Sequence, residues 1–458
     1  MTIPRKVLHV APHLGGGVGR FVTNVYSRDE EFDHLFLLLE APENEDFLNS
    51  SNIKWMLSNK RDGLSSRSEE YDAIQIEFWN HPLLYRFLLE NNLLKRTRVL
   101  FYSHVNGLYE PGIITETLVR SCDNFMVSTF ASTHSKAISS ADHKISVVPE
   151  FGGCGRTSGI RKVEHEGFNV VYIGSADRIK LHPAYISMCR KITERIPQAR
   201  FIFCSQDDHS YLRAQAEDEG ILTRFTFHRN LRNIDEVLEI ADVFGYPLNP
   251  RHFGTGEQAL IESMGASVPP VVLDNLPERY IVDDGITGII AGSVDDYVEA
   301  VEFLYSNPGA AKDMGQSARE KAMTEMSEVK TLSRLHEVYK KVLAREKTDH
   351  VFFPEDTIER IGDDIGLGLF AVSQGAAGEK FLQALDENGN ARYWKWKIGL
   401  CDEHLSPHKG TLAQYQAYFP GSKGLARLVD IVSSELEGDK DLRRQGFGLR
   451  KMTQGNIL

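Results

Sequence analysis

Apolar positions in the first 150 residues fall into short, nearly continuous runs separated by polar, helix-like stretches. Runs at 6–10, 34–39, 71–76, 98–102, 124–128 and 144–148 predict strands. Strands so uniformly apolar are the kind covered on both faces, and their alternation with helical segments such as 21–26 and 131–139 predicts a parallel sheet built from βαβ units. The stretch 151–165, FGGCGRTSGIRKVEH, has no periodicity and reads as a linker. The rhythm then starts again. Strands are expected at 169–173, 200–204, 223–228, 243–246 and 271–273, with helices near 184–196, 234–241, 255–266 and 294–306 and a long helical stretch at 310–345. The pattern therefore divides the chain into an N-terminal Rossmann-like domain (1–150), the linker and a second Rossmann-like domain (166–345). Residues 350–458 lack this rhythm. Alternation at Tyr393–Lys397, a turn signal at Asn388-Gly389 and helical patterns at 406–418 and 424–437 predict a smaller additional domain of unassigned role.

Length and composition fit this division. A chain of 458 residues with 41% hydrophobic and 25% charged residues is an ordinary globular composition. The formal net charge of −12 argues against a general nucleic-acid binder. Residues 350–458 hold 13 Lys+Arg and 15 Asp+Glu, so the acidity belongs mainly to the two α/β halves. Cys122, Cys154, Cys189, Cys204 and Cys401 form no CxxC pair, consistent with a reduced cytoplasm. The N-terminal residues show no signal-peptide pattern, and no apolar run approaches the ~20 residues of a membrane span. Peripheral contact at the inner face of a membrane stays open, because 82–98 is amphipathic and ends in basic residues, although a core-facing helix of the first domain is the simpler reading.

Two segments carry candidate chemistry. The first is Gly15-Gly16-Gly17-Val18-Gly19-Arg20, after the first strand and before a helix. Glycines there let a ligand approach the backbone, and a helix N-terminus offers N–H groups to an anion. A dinucleotide fingerprint wants glycine where Arg20 stands, so a NAD-dependent oxidoreductase using Glu40 as the ribose acid is a weak alternative. The second segment is Arg251-His252-Phe253-Gly254-Thr255-Gly256-Glu257-Gln258-Ala259-Leu260-Ile261-Glu262. Thr255 and Gln258 have capping-box spacing, which predicts a helix from Thr255 with Thr255, Gln258 and Glu262 on one face and Glu257 pointing elsewhere. An acid two turns into a helix suits ribose hydroxyls, while the helix N-terminus faces the attached phosphates. The adjacent acid pairs Asp207-Asp208, Asp283-Asp284 and Asp363-Asp364 make no convincing metal site, so none is expected.

These residues resemble a family. Phe253-Gly254, Ile261-Glu262-Ser263-Met264, Val268-Pro269-Pro270-Val271-Val272 and Asp284-Gly285-Ile286-Thr287-Gly288 are similar, in order and spacing, to the C-terminal signature of retaining glycosyltransferases of group 1 (family-four-like), which have two facing Rossmann-like domains, the GT-B fold. The resemblance covers roughly residues 5–345. It implies an α/β GT-B enzyme with an extra C-terminal domain that moves a sugar, with retention, from a nucleotide diphosphate donor (UDP- or GDP-sugar) to a glycan, lipid-linked or other small acceptor, without metal or other cofactor, in glycan, polysaccharide or glycoconjugate biosynthesis. Glu262 matches the family's ribose acid, and Arg178 and Lys180 match its diphosphate cations. His104, in Tyr102-Ser103-His104, matches a histidine near the donor sugar, with His13 a weaker candidate. Gly16, Gly17, Gly174, Gly254, Thr255 and Gly256 would line the donor. One departure stands out: the family's first glutamate, eight positions before Glu262, is here Gly254. Either Glu257 serves the sugar, as a fourth catalytic candidate beside His104, Arg178 and Lys180, or His252 and backbone amides do. A sugar-nucleotide epimerase of the same fold and a scaffold using 350–458 to hold a partner are the remaining alternatives, and self-association is left open.

Overall fold

The computed structural model describes residues 4–42, 45–58, 68–90, 92–141, 144–229, 231, 233–386, 404, 406 and 409–444. The alternating pattern at 393–397, with Trp394 and Trp396, the turn at 388–389 and Cys401 lie outside the described residues.

The described chain forms two compact units, one of residues 1–79 and 90–352, the other of 80–89 and 353–458. The first holds two parallel sheets. One has the order β3-β2-β1-β4-β5-β6-β7, from β1 (Arg5–Ala11), β2 (Phe32–Leu38), β3 (Lys54–Leu57), β4 (Ala73–Phe78), β5 (Val99–Ser103), β6 (Asn124–Val127) and β7 (Ile145–Val147). The other runs β10-β9-β8-β11-β12-β13, from β8 (Phe168–Ile173), β9 (Ala199–Ser205), β10 (Phe225–Arg229), β11 (Val243–Tyr246), β12 (Pro270–Leu273) and β13 (Ile289–Ala291). β4, β5, β8 and β11 are buried throughout, as their apolar runs require. In both sheets the strand order reverses beside the first strand, between β1 and β4 and between β8 and β11. Ligands of doubly wound sheets settle outside the strand ends at such a point, and here lie the glycine loop, residues 174–180 and residues 247–257.

Several elements differ from the sequence expectation. β3 and β13 are short and only partly buried, so their apolar signal was too weak to read. The stretch expected as one helix at 310–345 is two, Pro308–Glu325 and Glu328–Leu343. The second of these lies in sequence within the second half, yet its side chains bond to the first sheet: Tyr339 Oη donates to Gln75 Oε1 at 2.8 Å, and His336 and Lys340 meet Asp29 and Glu31. The 151–165 stretch is packed as well as connecting, with Cys154 and Thr157 fully buried and the Gly153 amide donating to Glu328 at 2.9 Å.

In the second unit, the helix Pro82–Glu90 is the piece that sequence reading gave to the first domain. Within that unit Asn80 Nδ2 donates to the Ser373 carbonyl at 3.2 Å, and the His81 and Tyr418 rings lie 4.9 Å apart. The remaining elements described there are helices: Glu355–Ile361, Ile365–Ser373, Ala376–Asp386, Leu412–Tyr418 and Lys423–Arg444. Among the described residues no helix is long and apolar enough to cross a membrane.

Candidate functional site

After β8 the chain turns at Gly174, which packs on the Tyr172 hydroxyl. Asp207 pins the turn by accepting from the Ser175 hydroxyl and, at 2.8 Å, from the Ala176 amide. Asn249 closes it from the β11 side, its side chain donating to the Arg178 carbonyl and its amide to that of Lys180. Lys180 Nζ then stands 3.0 Å from Glu257 Oε2. Arg178 takes a different direction: it is exposed, and its guanidinium lies 5.1 Å from the centroid of the Tyr211 ring.

The helix carrying Glu262 begins at Gln258 and runs to Gly265, not from Thr255 as the capping-box spacing predicts. Both supposed capping side chains are used elsewhere. Thr255 Oγ1 donates to Glu150 Oε2 at 2.8 Å, and Gln258 Nε2 donates to the Glu150 carbonyl at 2.7 Å. Glu257 occupies the residue before the helix in the left-handed region (φ 43°), rare for a residue with a side chain. That conformation carries its carboxylate to Lys180 and to the Tyr246 hydroxyl, which donates to Oε2 at 2.6 Å. Burial alone would raise the Glu257 pKa, but Lys180, His252 and Tyr246 outweigh it and hold the carboxyl below its ordinary value. The loop also needs glycine at two places. A Cβ at Gly256 would lie 2.0 Å from the Glu150 carbonyl oxygen, and one at Gly254 would lie 1.6 Å from Glu257 Oε1. His252, Glu257 and Glu278 offer three buried ligand atoms within 4.8 Å of one another, but the Lys180 ammonium already supplies a cation to Glu257.

Glu262 is buried one turn into the helix. Its Oε1 is 3.3 Å from Arg156 Nη2, and its Oε2 is 3.8 Å from Arg20 Nη1. Oε2 makes no hydrogen bond within the chain, although it is inaccessible to solvent. Burial raises the Glu262 pKa, and the two arginines only partly offset this. An orphaned buried acceptor is costly and points to a missing partner. Arg20 belongs to the helix Gly16–Val25, whose glycine loop joins β1. Gly16 (φ 57°) and Gly17 border open space, where a side chain would meet nothing within 4 Å. His13 turns back on the loop, its Nδ1 accepting from the Gly15 amide at 3.1 Å.

His104 is placed differently from the sequence expectation of a group facing a sugar. Its side chain is fully buried, with Nε2 2.7 Å from Glu77 Oε2 and Nδ1 3.2 Å from Glu150 Oε1. Nε2 hydrogen-bonds Glu77, whereas Nδ1 stands at ion-pair distance from Glu150 without a hydrogen bond of good geometry. Burial opposes a charge on the ring, but Glu150 and Glu77 together raise the pKa to about 9. From Glu77 the chain of contacts continues through His9 (2.5 Å), His34 (2.8 Å) and Asp29 (2.9 Å). Burial pulls His9 down to about 4, although its contact with Glu77 works the other way.

Sequence reading missed Glu77, Glu150, Asn106 and Arg156 as parts of this region, and took Arg20 only as a departure from a dinucleotide fingerprint. Glu77 left a signal, an acid inside the otherwise apolar run of β4. Asn106 left none: its Nδ2 donates to the carbonyls of His252 (2.7 Å) and Gly254 (3.1 Å), which only the folded chain brings near.

Comparisons with known proteins bear on the fold and the family. Residues 159–321 match the family model of glycosyl transferases group 1. A putative glycosyltransferase, EpsD, of Bacillus subtilis is 27% identical over 178 residues, 38% of this chain and 45% of that protein, so the match spans less than half of the relative's length. Among solved structures, Anabaena HepE in complex with UDP and glucose superposes with a TM-score of 0.61 at 13% identity, over 74% of this chain and 100% of HepE. Sucrose-phosphate synthase from Thermosynechococcus elongatus superposes with a TM-score of 0.57 at 13% identity, over 74% of this chain and 99% of that one. The chain thus has the GT-B fold, and its second α/β half is similar to the group 1 glycosyl transferases.

Proposed function

We propose that the protein transfers a sugar from a nucleoside diphosphate sugar to a glycan, lipid-linked or other small hydroxyl acceptor, with retention of anomeric configuration, at the cytoplasmic side of glycan or glycoconjugate synthesis. The observation that carries this reading is Glu262: a buried carboxylate with an unpartnered oxygen, one turn inside a helix and within reach of an arginine from the glycine loop.

In this reading Glu262 accepts from the ribose hydroxyls, and its two arginines offset part of the burial that opposes its charge. Lys180 and, after leaving the Tyr211 face, Arg178 neutralise the diphosphate as its charge grows. The amides at Gly16 and Gly17 meet the same phosphates, as helix N-termini do. Glu257, fixed by Lys180 and Tyr246, takes the role of the absent acid at Gly254 and binds sugar hydroxyls, while Gly174, Gly254, Thr255 and Gly256 form the wall. The acceptor oxygen attacks the anomeric carbon on the face the diphosphate leaves. The C–O bond to phosphate breaks, and the acceptor's proton passes to the departing phosphate oxygen. No protein nucleophile and no metal enters this scheme. UDP is the first donor nucleotide to test, because HepE is described in complex with UDP and with UDP-glucose.

Calorimetric titration with UDP and GDP, repeated on Glu262→Gln, tests the reading. Binding of one nucleotide by the wild type and its loss by at least about tenfold in the variant are expected, since each 1.4 kcal/mol is a factor of ten. Failure of both nucleotides to bind the wild type would end it.

A further inference from the structure

We propose that Glu77, His104 and Glu150 act as a charged clamp that positions the start of the Gln258–Gly265 helix, so that His104 is a positioning residue and does not touch the donor. This rests on the reading of that helix as the donor site.

The geometry leaves His104 little else to do. Nε2 is hydrogen-bonded to Glu77 from β4, and Nδ1 lies 3.2 Å from Glu150 of the segment after β7, an ion-pair contact rather than a hydrogen bond. The rest of its wall is aromatic, from Phe21, Trp79 and Tyr102, with ring centroids 5.1 to 6.0 Å away. A fully buried imidazolium between two anions is a structural ion triad: removing either partner leaves a buried charge uncompensated.

Glu150 transmits the constraint. Its second carboxylate oxygen receives the Thr255 hydroxyl, its carbonyl receives the Gln258 side-chain amide, and that carbonyl lies where any side chain at 256 would begin. Three contacts from one residue thus fall on 255–258. Between them sits Glu257, the partner of Lys180. Rotation of Glu150 would move the left-handed residue that holds the cation.

The sign of the pH effect follows. The clamp exists while His104 is protonated and is lost as pH rises through its raised pKa. Taking away the Glu77 charge brings that loss to lower pH. In Glu77→Gln, UDP affinity should therefore match the wild type near about pH 6 and fall about tenfold below it near about pH 8.5, a histidine titration displaced toward its ordinary range. Glu150→Gln removes the other counter-charge together with one of the two acceptor oxygens that serve His104 and Thr255, so it should weaken UDP binding already near about pH 6 and further as pH rises, which covers the case that Glu77→Gln does not fold. Hydrogen exchange at the higher pH gives a readout independent of nucleotide: a peptide spanning 252–262 should exchange faster in either folded variant than in wild type, while a peptide over β8 should not change. Unchanged exchange at 252–262, or UDP affinity that keeps the wild-type pH profile, would overturn the clamp. If the wild type binds neither UDP nor GDP, the donor-site reading fails, and the exchange comparison still decides the clamp.

Discussion

The carboxylate of Glu257 fills the space where a side chain on Gly254 would begin: a Cβ built at 254 would stand 1.6 Å from Glu257 Oε1. That place is filled by the acid three residues later, which reaches it through a left-handed turn. Gly254→Ala should force Glu257 off Lys180 and leave both charges partly buried without partners. A cost of about 3–5 kcal/mol is the usual size for breaking such a pair. Urea unfolding measures it, and UDP titration should show weakened binding in the same variant. A stability equal to wild type would mean that Glu257 has another place to go.

The Lys180–Glu257 pair also changes what a lysine substitution tests. Sequence reasoning alone expects Lys180→Ala to impair transfer while sparing the fold. The 3.0 Å contact to a fully buried carboxylate argues against the second part, because Glu257 would lose its main counter-charge. We expect Lys180→Ala to be destabilised by about 3–5 kcal/mol and Lys180→Met combined with Glu257→Gln to recover most of it. UDP affinity should stay low in both. Equal stability of the single and double variants in thermal or urea unfolding would refute the coupling.

What the sequence disclosed and what it hid differ for physical reasons. Apolar runs such as β4, β8 and β11 announce buried parallel strands, because burial on both faces demands them. The order of Phe253-Gly254, Glu262 and the 284–288 turn placed the helix now seen at Gln258–Gly265. Capping-box spacing misplaced its start, since Thr255 and Gln258 are equally good donors to a tertiary acceptor and Glu150 was such an acceptor. His104 looked like a ligand-facing histidine for a similar reason: sequence shows that the imidazole stands at a strand end, but not that two acids from distant segments close over it. Residues 82–98 read as a core-facing helix of the first domain, and only the fold reveals that 80–89 belong with the unit that resumes at residue 353.

Asp29 links the helix Glu328–Leu343 to the first sheet and should make that link acid-sensitive. Its Oδ2 accepts from His34 at 2.9 Å and from His336 at 2.8 Å, and its Oδ1 accepts from the Glu31 amide. Burial would raise the carboxyl's pKa, but these hydrogen bonds outweigh it and hold it well below the ordinary carboxylate range. A carboxylate depressed in the folded state contributes stability that is complete above the unfolded pKa of about 4 and is lost as pH falls below it. Asp29→Asn should cost about 1–3 kcal/mol near neutral pH, since it takes the charged acceptor from two partly or fully buried histidine contacts at once. The difference from wild type should shrink in acid. Unfolding midpoints of both proteins at neutral and acidic pH would show this, and a gap independent of pH would contradict it.

Removal of the C-terminal residues bears on how the chain can be divided. Residues 80–89 and 353–458 form one compact unit, although the first piece lies in sequence between β4 and β5. Deleting 353–458 takes away the Ser373 carbonyl that receives Asn80, the Tyr418 ring against His81 and the Gly410 backbone beside Asn80. Leu84 and Tyr85, both fully buried, belong to the same unit, and Tyr85 lies close enough to Tyr415 to influence its phenol. Each such side chain newly exposed to water costs about 1.5–3 kcal/mol and offers an apolar surface for aggregation. The truncated protein should therefore be recovered mainly as insoluble material, whereas a truncation that also replaces Leu84 and Tyr85 with polar residues should be more soluble. If simple deletion instead yields soluble protein that binds UDP as tightly as the full chain, the helix Pro82–Glu90 does not depend on the C-terminal residues.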